Sequence, residues 1–283
     1  MSILIVESGS TKTDWCFVKK TGKPIFQKTS GINPYLQSSD DILKGLHHEL
    51  KWNLKKHQPE KIYYYGAGVN NKELQDKIVV VLKGYFSVNK MEVQSDILGA
   101  ARALSGNTKG MVCILGTGSN CCYFNGSKIQ TQQPSLGYIA GDEGSGNYLG
   151  KKVLQYYAYN TFDDELKTAF EMMFGDNIRQ LIHRLYNEPF PNRLLASFSI
   201  ILVENRGHFM VENIIEDGLN DFFHAHLLKY RQSWKHPIHF TGSIAYYFKD
   251  VLESLCSQYE FEIGNILQSP LEGLVNYHRN REF

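Results

Sequence analysis

The chain has 283 residues, 42% of them hydrophobic and 21% charged, proportions that exclude a disordered, collagen-like or disulfide-stapled protein. At roughly 150 residues per domain, this length suggests two domains. Thirty Lys and Arg against 29 Asp and Glu leave a formal charge of +1, and no basic stripe makes up for the missing excess, so nucleic acid is not an expected partner.

In chain order, Ile3-Leu4-Ile5-Val6 lacks the basic leader and length of a signal peptide and reads as a buried strand. It runs into the turn Glu7-Ser8-Gly9-Ser10-Thr11-Lys12-Thr13, after which Asp14 to Lys19 resumes a strand that turns at Thr21-Gly22 towards Pro24 to Thr29. The pattern predicts three antiparallel strands. A helix near Asp41–Lys56, a strand at Lys61–Tyr65, a helix near Lys72–Phe86 and a strand near Lys90–Gln94 follow. A further helix is expected to start at Ser95-Asp96. Tyr63-Tyr64-Tyr65 reads as a strand with alternate rings buried.

The order then recurs. Met111 to Leu115 runs into Gly116-Thr117-Gly118-Ser119-Asn120, and Cys121 to Phe124 turns at Asn125-Gly126 into Lys128 to Gln130. This predicts a duplication of topology rather than of sequence, with the halves joined near Ser105-Gly106-Asn107, hence domains at 1–107 and 108–283 with the last helix packing back on the first. Beyond Gly150 the spacing is mainly helical, through Leu154–Tyr159, Leu166–Phe174, Leu194–Val203 and Phe209–Leu228, before a strand at Pro237–Phe240 that ends in Thr241-Gly242-Ser243. Mixed α/β layering follows. No apolar run approaches the roughly 18 residues of a membrane-spanning helix, so no membrane association is expected. Cys16, Cys113, Cys121, Cys122 and Cys256 show no C-x-x-C spacing and read as reduced thiols of a cytoplasmic protein rather than zinc or iron–sulfur ligands.

Gly9, Gly116 and Gly118 let backbone approach an anion, and Ser10, Thr11, Thr13, Thr117 and Ser119 offer donors to phosphate oxygens. No Walker segment occurs, and Gly144-Ser145-Gly146-Asn147-Tyr148-Leu149-Gly150 misses the dinucleotide spacing because its third glycine comes one residue late. No G-x-S-x-G elbow or H-E-x-x-H pair is present. By residue type Asp96 reads as a helix N-cap or a general base, Asn33 before Pro34 as a turn residue or a ligand, Asp142 as part of a solvated turn or a ligand, and Glu143 as a first-turn partner of a helix dipole.

The ordered motifs Val6 to Thr13, Ser95-Asp96-Ile97-Leu98-Gly99-Ala100, Leu115-Gly116-Thr117-Gly118-Ser119-Asn120, Gly141-Asp142-Glu143-Gly144-Ser145 and Thr241-Gly242-Ser243 resemble those of the BadF/BadG/BcrA/BcrD ATPase family, and within it the N-acetylglucosamine-kinase-like branch. The resemblance spans residues 1 to about 275. It implies an actin-like fold of two ribonuclease-H-like domains around an ATP cleft. It implies Gly9, Ser10, Thr11 and Lys12 as one phosphate loop, Gly116, Thr117 and Gly118 as the other, and Gly242 and Ser243 beside the adenosine. It makes Asp96 the base that accepts the sugar hydroxyl's proton, puts Asn33, Ser119, Asn120 and Asp142 near the sugar, and assigns Glu7 and Asp14 to hydrated Mg²⁺.

The chain departs from that pattern at Ser135-Leu136-Gly137-Tyr138, where relatives carry an aromatic residue, and at Glu7, where many carry aspartate. The resemblance therefore carries kinase class further than sugar identity. The expected function is ATP-dependent phosphorylation of an amino sugar such as N-acetylglucosamine, with homodimerisation left open. The alternatives are an ATPase that activates an iron–sulfur partner enzyme and a non-catalytic nucleotide or sugar sensor.

Overall fold

The computed structural model describes residues 1–53 and 56–283. The chain divides into two compact units, one of Met1–Val112, Phe124–Gln130 and Ser269–Phe283, the other of Cys113–Tyr123 and Thr131–Gln268.

The first unit is built on β1 (Ser2–Ser8), β2 (Lys12–Lys19), β3 (Ile25–Ser30), β4 (Lys61–Gly66) and β5 (Met91–Ser95), in the order β3-β2-β1-β4-β5. β1 runs antiparallel to β2 and parallel to β4. Its helices are α1 (Ser39–Glu49), α2 (Lys72–Phe86), α3 (Asp96–Ser105) and, from the far end of the chain, the one at Leu271–Glu282. α1 starts two residues ahead of the helix expected over Asp41–Lys56 and stops at Glu49, where Leu50 turns to extended backbone (φ -81°, ψ 102°), so the expected helix is too long at its end; residues 54 and 55 lie outside the described residues. α1 and α2 start where Ser38 and Asn71 accept from the backbone N–H groups of Asp41 and Leu74, each satisfying an orphan donor of the first turn.

Both faces of this sheet are covered, which explains why its central strand is an unbroken apolar run. Leu4, Val6, Trp15, Phe17, Ile62 and Tyr64 pack with Ile42, Leu46, Ile78 and Leu82 of α1 and α2. Ile3, Ile5, Cys16, Val18, Tyr63 and Tyr65 pack with Leu271, Leu274 and Val275 of the last helix. Tyr63, Tyr64 and Tyr65 are therefore all buried, a correction to the expected alternation: a strand sandwiched between two helical layers has no solvent face.

The second sheet comprises β6 (Lys109–Leu115), β7 (Ser119–Asn125), β8 (Ile129–Gln132), β9 (Ile238–Thr241) and β10 (Ile263–Leu267), ordered β10-β9-β6-β7-β8. Read from the other edge this repeats the first sheet's order, the duplication expected from the recurring turns. Between β8 and β9 come α4 (Gly137–Ala140), α5 (Gly146–Ala158), α6 (Asp164–Phe174), α7 (Ile178–Asn187), α8 (Pro191–Phe198), α9 (Ile200–Glu204) and α10 (Phe209–Ala225); α11 (Ser243–Tyr247) and α12 (Lys249–Gln258) precede β10, and α13 (Leu271–Glu282) follows it. The helix expected over Leu194–Val203 is broken at Ser199, whose hydroxyl donates back to Ala196 O at 2.7 Å. Such back-bonding competes with the helical ladder.

α13 brings a buried histidine to the first sheet. His278 stacks on Tyr63 with ring centroids 3.7 Å apart, and its Nε2 lies 2.8 Å from Tyr65 Oη, which also accepts from Arg102 at 2.6 Å. Arginine only donates, so Tyr65 Oη accepts from Arg102 and keeps its own proton available for Nε2 of a neutral imidazole. Burial, with Arg102 adding to it, brings the His278 pKa down to about 3. The unfolded chain protonates this histidine near 6.5 and the folded one does not until about 3, so stability is lost as pH falls through that window. His278→Asn should remove a slope of up to about 1.4 kcal/mol per pH unit; urea midpoints measured from pH 7 to 4 with equal slopes in both proteins would refute the assignment.

Candidate functional site

In the first unit, Gly9 to Lys12 close the β1–β2 hairpin through Gly9 N to Lys12 O, 2.9 Å, while Gly31 N donates to Thr11 O at 3.0 Å. Ser8 Oγ, 2.7 Å from Thr13 Oγ1, accepts from Ile32 N at 3.1 Å. The turn is thus braced from beneath by the Gly31-Ile32 segment, and Thr11 and Lys12 are exposed on it. Asn33 follows directly. Its Oδ1 accepts from Tyr35 N at 3.0 Å, an Asx turn.

Glu7 and Asp14 are cross-strand partners, so both side chains extend the sheet face that carries Ile5 and Cys16. Asp14 is buried, and Lys12 Nζ lies 2.8 Å from its Oδ2. Burial, then the charges of Asp14 and Asp96, push the Glu7 pKa up to about 8. Asp96 is the first residue of α3, and the N-cap is Ser95. Its Oδ1 accepts from Ile97 N at 2.8 Å, and burial raises its pKa above the ordinary value. Of the two readings of this residue type, the cap is not the one adopted. Three carboxylates therefore share one end of one face.

The second unit brings three separated motifs together. Gly146 N and Asn147 N, at the start of α5, donate to Gly116 O at 2.8 Å and Thr117 O at 3.0 Å, so the glycine turn after β6 is held by a helix N-terminus. Asp142, with φ of 60°, holds a left-handed conformation that non-glycine residues rarely adopt. Its Oδ2 accepts from Asn147 Nδ2 at 2.8 Å and its Oδ1 from Ser119 N at 3.4 Å. Gly118 makes this possible: a Cβ there would lie 2.8 Å from Asp142 Oδ2. Gly242, ahead of Ser243 and α11, packs closely against the Leu115–Gly116 peptide, where a Cβ would meet Leu115 O at 2.2 Å.

A cavity of about 360 Å³ opens beside this knot, lined by Ser119, Asn120, Asp142, Glu143, Gln133 and His226 among others. Burial raises the Asp142 pKa, and burial lowers that of nearby Lys151. Asn120 Oδ1 accepts from Cys121 N at 2.9 Å and from Gln132 Nε2 at 3.0 Å, leaving its amide N–H groups for the cavity. Glu143 is not in a helix's first turn as expected: it stands two residues before the α5 cap, Ser145, and its Oε2 lies 3.2 Å from His226 Nε2. Gln133 and His226 belong to no sequence motif, and His226 reaches the cavity from more than 80 residues beyond Glu143. No group of three or more His, Cys, Asp or Glu among the described residues is arranged to hold a metal directly.

No protein-family model and no curated protein matches the chain. Solved structures do. A protein named as a candidate N-acetylglucosamine kinase from Porphyromonas gingivalis is 37% identical over 99% of this chain and 100% of its own, with a TM-score of 0.92. One of the same description from Chromobacterium violaceum is 15% identical over 98% of both chains, TM-score 0.74. A ROK-family glucokinase from Streptomyces griseus, solved with glucose and AMPPNP, is 14% identical over 98% of both, TM-score 0.57; at these lower identities the likeness is one of fold. With its repeated five-stranded sheets and near-complete overlap at 37% identity, the chain belongs to the N-acetylglucosamine-kinase-like branch of the actin-like ATPase superfamily.

Proposed function

We propose that this protein is an ATP-dependent sugar kinase that phosphorylates a hydroxyl of an amino sugar of the N-acetylglucosamine type. The observation that carries the reading is the second unit's cavity, where Asn120 and Asp142 stand beside a glycine turn braced by a helix N-terminus. Its volume of about 360 Å³ suits a monosaccharide, since small-molecule sites start at roughly 300 Å³. Gly9, Ser10, Thr11 and Lys12, with Gly116, Thr117 and Gly118, are the proposed phosphate turns, and Gly242 and Ser243 the adenosine contacts. Asn33, Ser119, Asn120 and Asp142 are the proposed sugar ligands.

Asp96 is the proposed base. Phosphoryl transfer leaves the protein mostly positioning and charge stabilisation, plus a carboxylate to take the attacking hydroxyl's proton. Its raised pKa strengthens it as an acceptor. Glu7 and Asp14 fit a hydrated divalent cation: burial makes ionised Glu7 costly by itself, which a positive charge nearby offsets. Mg²⁺ held there through water would neutralise charge on the phosphates.

The supply of ATP argues for the cytoplasm, and no helix among the described residues is long and apolar enough to cross a membrane. The five cysteines are all buried, which weighs against an ATPase sharing a surface cluster with a partner enzyme.

The test is ADP release from ATP and Mg²⁺ across a panel of hexoses and hexosamines. A signal that depends on an N-acetylated hexosamine is expected. Sugar-independent turnover would favour the activator ATPase, and no turnover the sensor.

A further inference from the structure

His226 joins two walls of the cavity. It follows α10, with Nε2 3.2 Å from Glu143 Oε2 and Nδ1 3.1 Å from Gln133 Oε1, and the Phe222 ring backs it at 4.9 Å. Glu143 belongs to the left-handed turn that also presents Asp142. Gln133 opens the stretch Gln133-Pro134-Ser135-Leu136, whose last three residues are exposed and have no regular structure. Its backbone N–H donates to Tyr230 Oη at 2.8 Å. The stretch is therefore tied to the end of α10 and its following turns at a single residue, once through the side chain and once through the backbone.

We propose that His226 is a positioning residue for sugar recognition, holding the Glu143 carboxylate and the Gln133–Leu136 wall at the separation the sugar ring requires. The inference rests on the kinase reading of the same cavity. A carboxylate reads a hydroxyl through a charge-assisted hydrogen bond that is strict in distance and angle. Freed from the imidazole, Glu143 gains rotamers and the wall loses its side-chain tie, and both changes weaken binding of the sugar before any chemistry. The nucleotide and the base Asp96 do not depend on them. The loss therefore falls on KM for the sugar rather than on kcat.

The test uses the full chain, with N-acetylglucosamine, ATP and Mg²⁺ in an ADP-release assay. His226→Ala is expected to raise KM for the sugar at least about tenfold, the effect of losing a hydrogen bond to a charged group, with kcat and KM for ATP within about twofold of wild type. His226→Gln, whose amide still donates towards Glu143, should recover most of the loss. Gln133→Ala, on a stretch without regular structure, should raise the same KM without moving the thermal midpoint, and it carries the test alone if His226→Ala is insoluble. Unchanged sugar KM in these variants overturns the proposal, as does a parallel change in kcat and ATP KM or a glutamine variant no better than alanine. A wild-type protein with no sugar-dependent ADP release removes the kinase reading itself, and this inference with it.

Discussion

Asp96→Asn should lower kcat by about 10²- to 10⁴-fold, the range over which a positioned proton acceptor contributes, while ATP affinity stays within about twofold. The substitution keeps size and the acceptor for Ile97 N, so folding should survive and the loss will report on proton transfer alone. The pH dependence has a definite sign. A base works ionised, and burial raises the Asp96 pKa above the carboxylate's ordinary value of 3.8. Activity should therefore fall as pH drops through that raised value, at a higher pH than an exposed aspartate would impose. Steady-state rates from pH 5 to 9 at saturating ATP and Mg²⁺ provide the check. An asparagine variant with wild-type kcat, or one whose lost turnover is matched by lost ATP binding, would remove Asp96 from the role of base.

Gly150→Ala should be the most damaging small change in the second unit. A Cβ at this position would lie 1.8 Å from Leu195 O and 2.8 Å from Leu195 C, atoms of the α8 backbone that cannot rotate away. α5 and α8 would have to separate, disturbing buried Leu149, Val153, Leu195 and Phe198. A cost above about 4 kcal/mol is expected, since both overpacking and lost burial contribute. Gly45→Ala in α1 is the matched control, because nothing lies within 4 Å of the added methyl. It should be neutral or stabilising by roughly 0.5–1 kcal/mol. Soluble yield and thermal midpoints distinguish the two outcomes, and a Gly150→Ala protein as stable as the control would contradict the packing described.

The same glycine shows how much function could be read before any coordinates. As a motif, Gly144 to Gly150 only ruled out a dinucleotide fingerprint; as structure, Gly150 is a helix crossing. Where periodicity and caps agree, local structure was legible: α2 runs over the expected Lys72–Phe86 because Asn71 starts it and its apolar stripe points inward. β10 carried no usable signal, and α7 was missed although Asn177 caps a run with Ile178, Leu181, Ile182 and Leu185 at helical spacing. β10 is a short edge strand interrupted by Gly264 with an irregular register to β9, and α7 buries only Leu181. At the site, the hydroxyl-rich turns and Asp142 could be picked out because each motif is contiguous. The Gln133–His226–Glu143 cluster could not, because it depends on how far α10 extends, and that is decided by tertiary packing.

The final helix has a consequence for biosynthesis. Leu271, Leu274 and Val275 cover Ile3, Ile5, Cys16 and Val18, so a sheet whose last strand ends at Ser95 is sealed only by a segment translated much later. The 175 residues 96–270 must be translated in between, on the order of ten seconds or more at common elongation rates. Throughout that interval the nascent sheet exposes an apolar face, a natural substrate for chaperones. Premature termination ahead of Leu271 would harm the amino-terminal half more than the half it truncates.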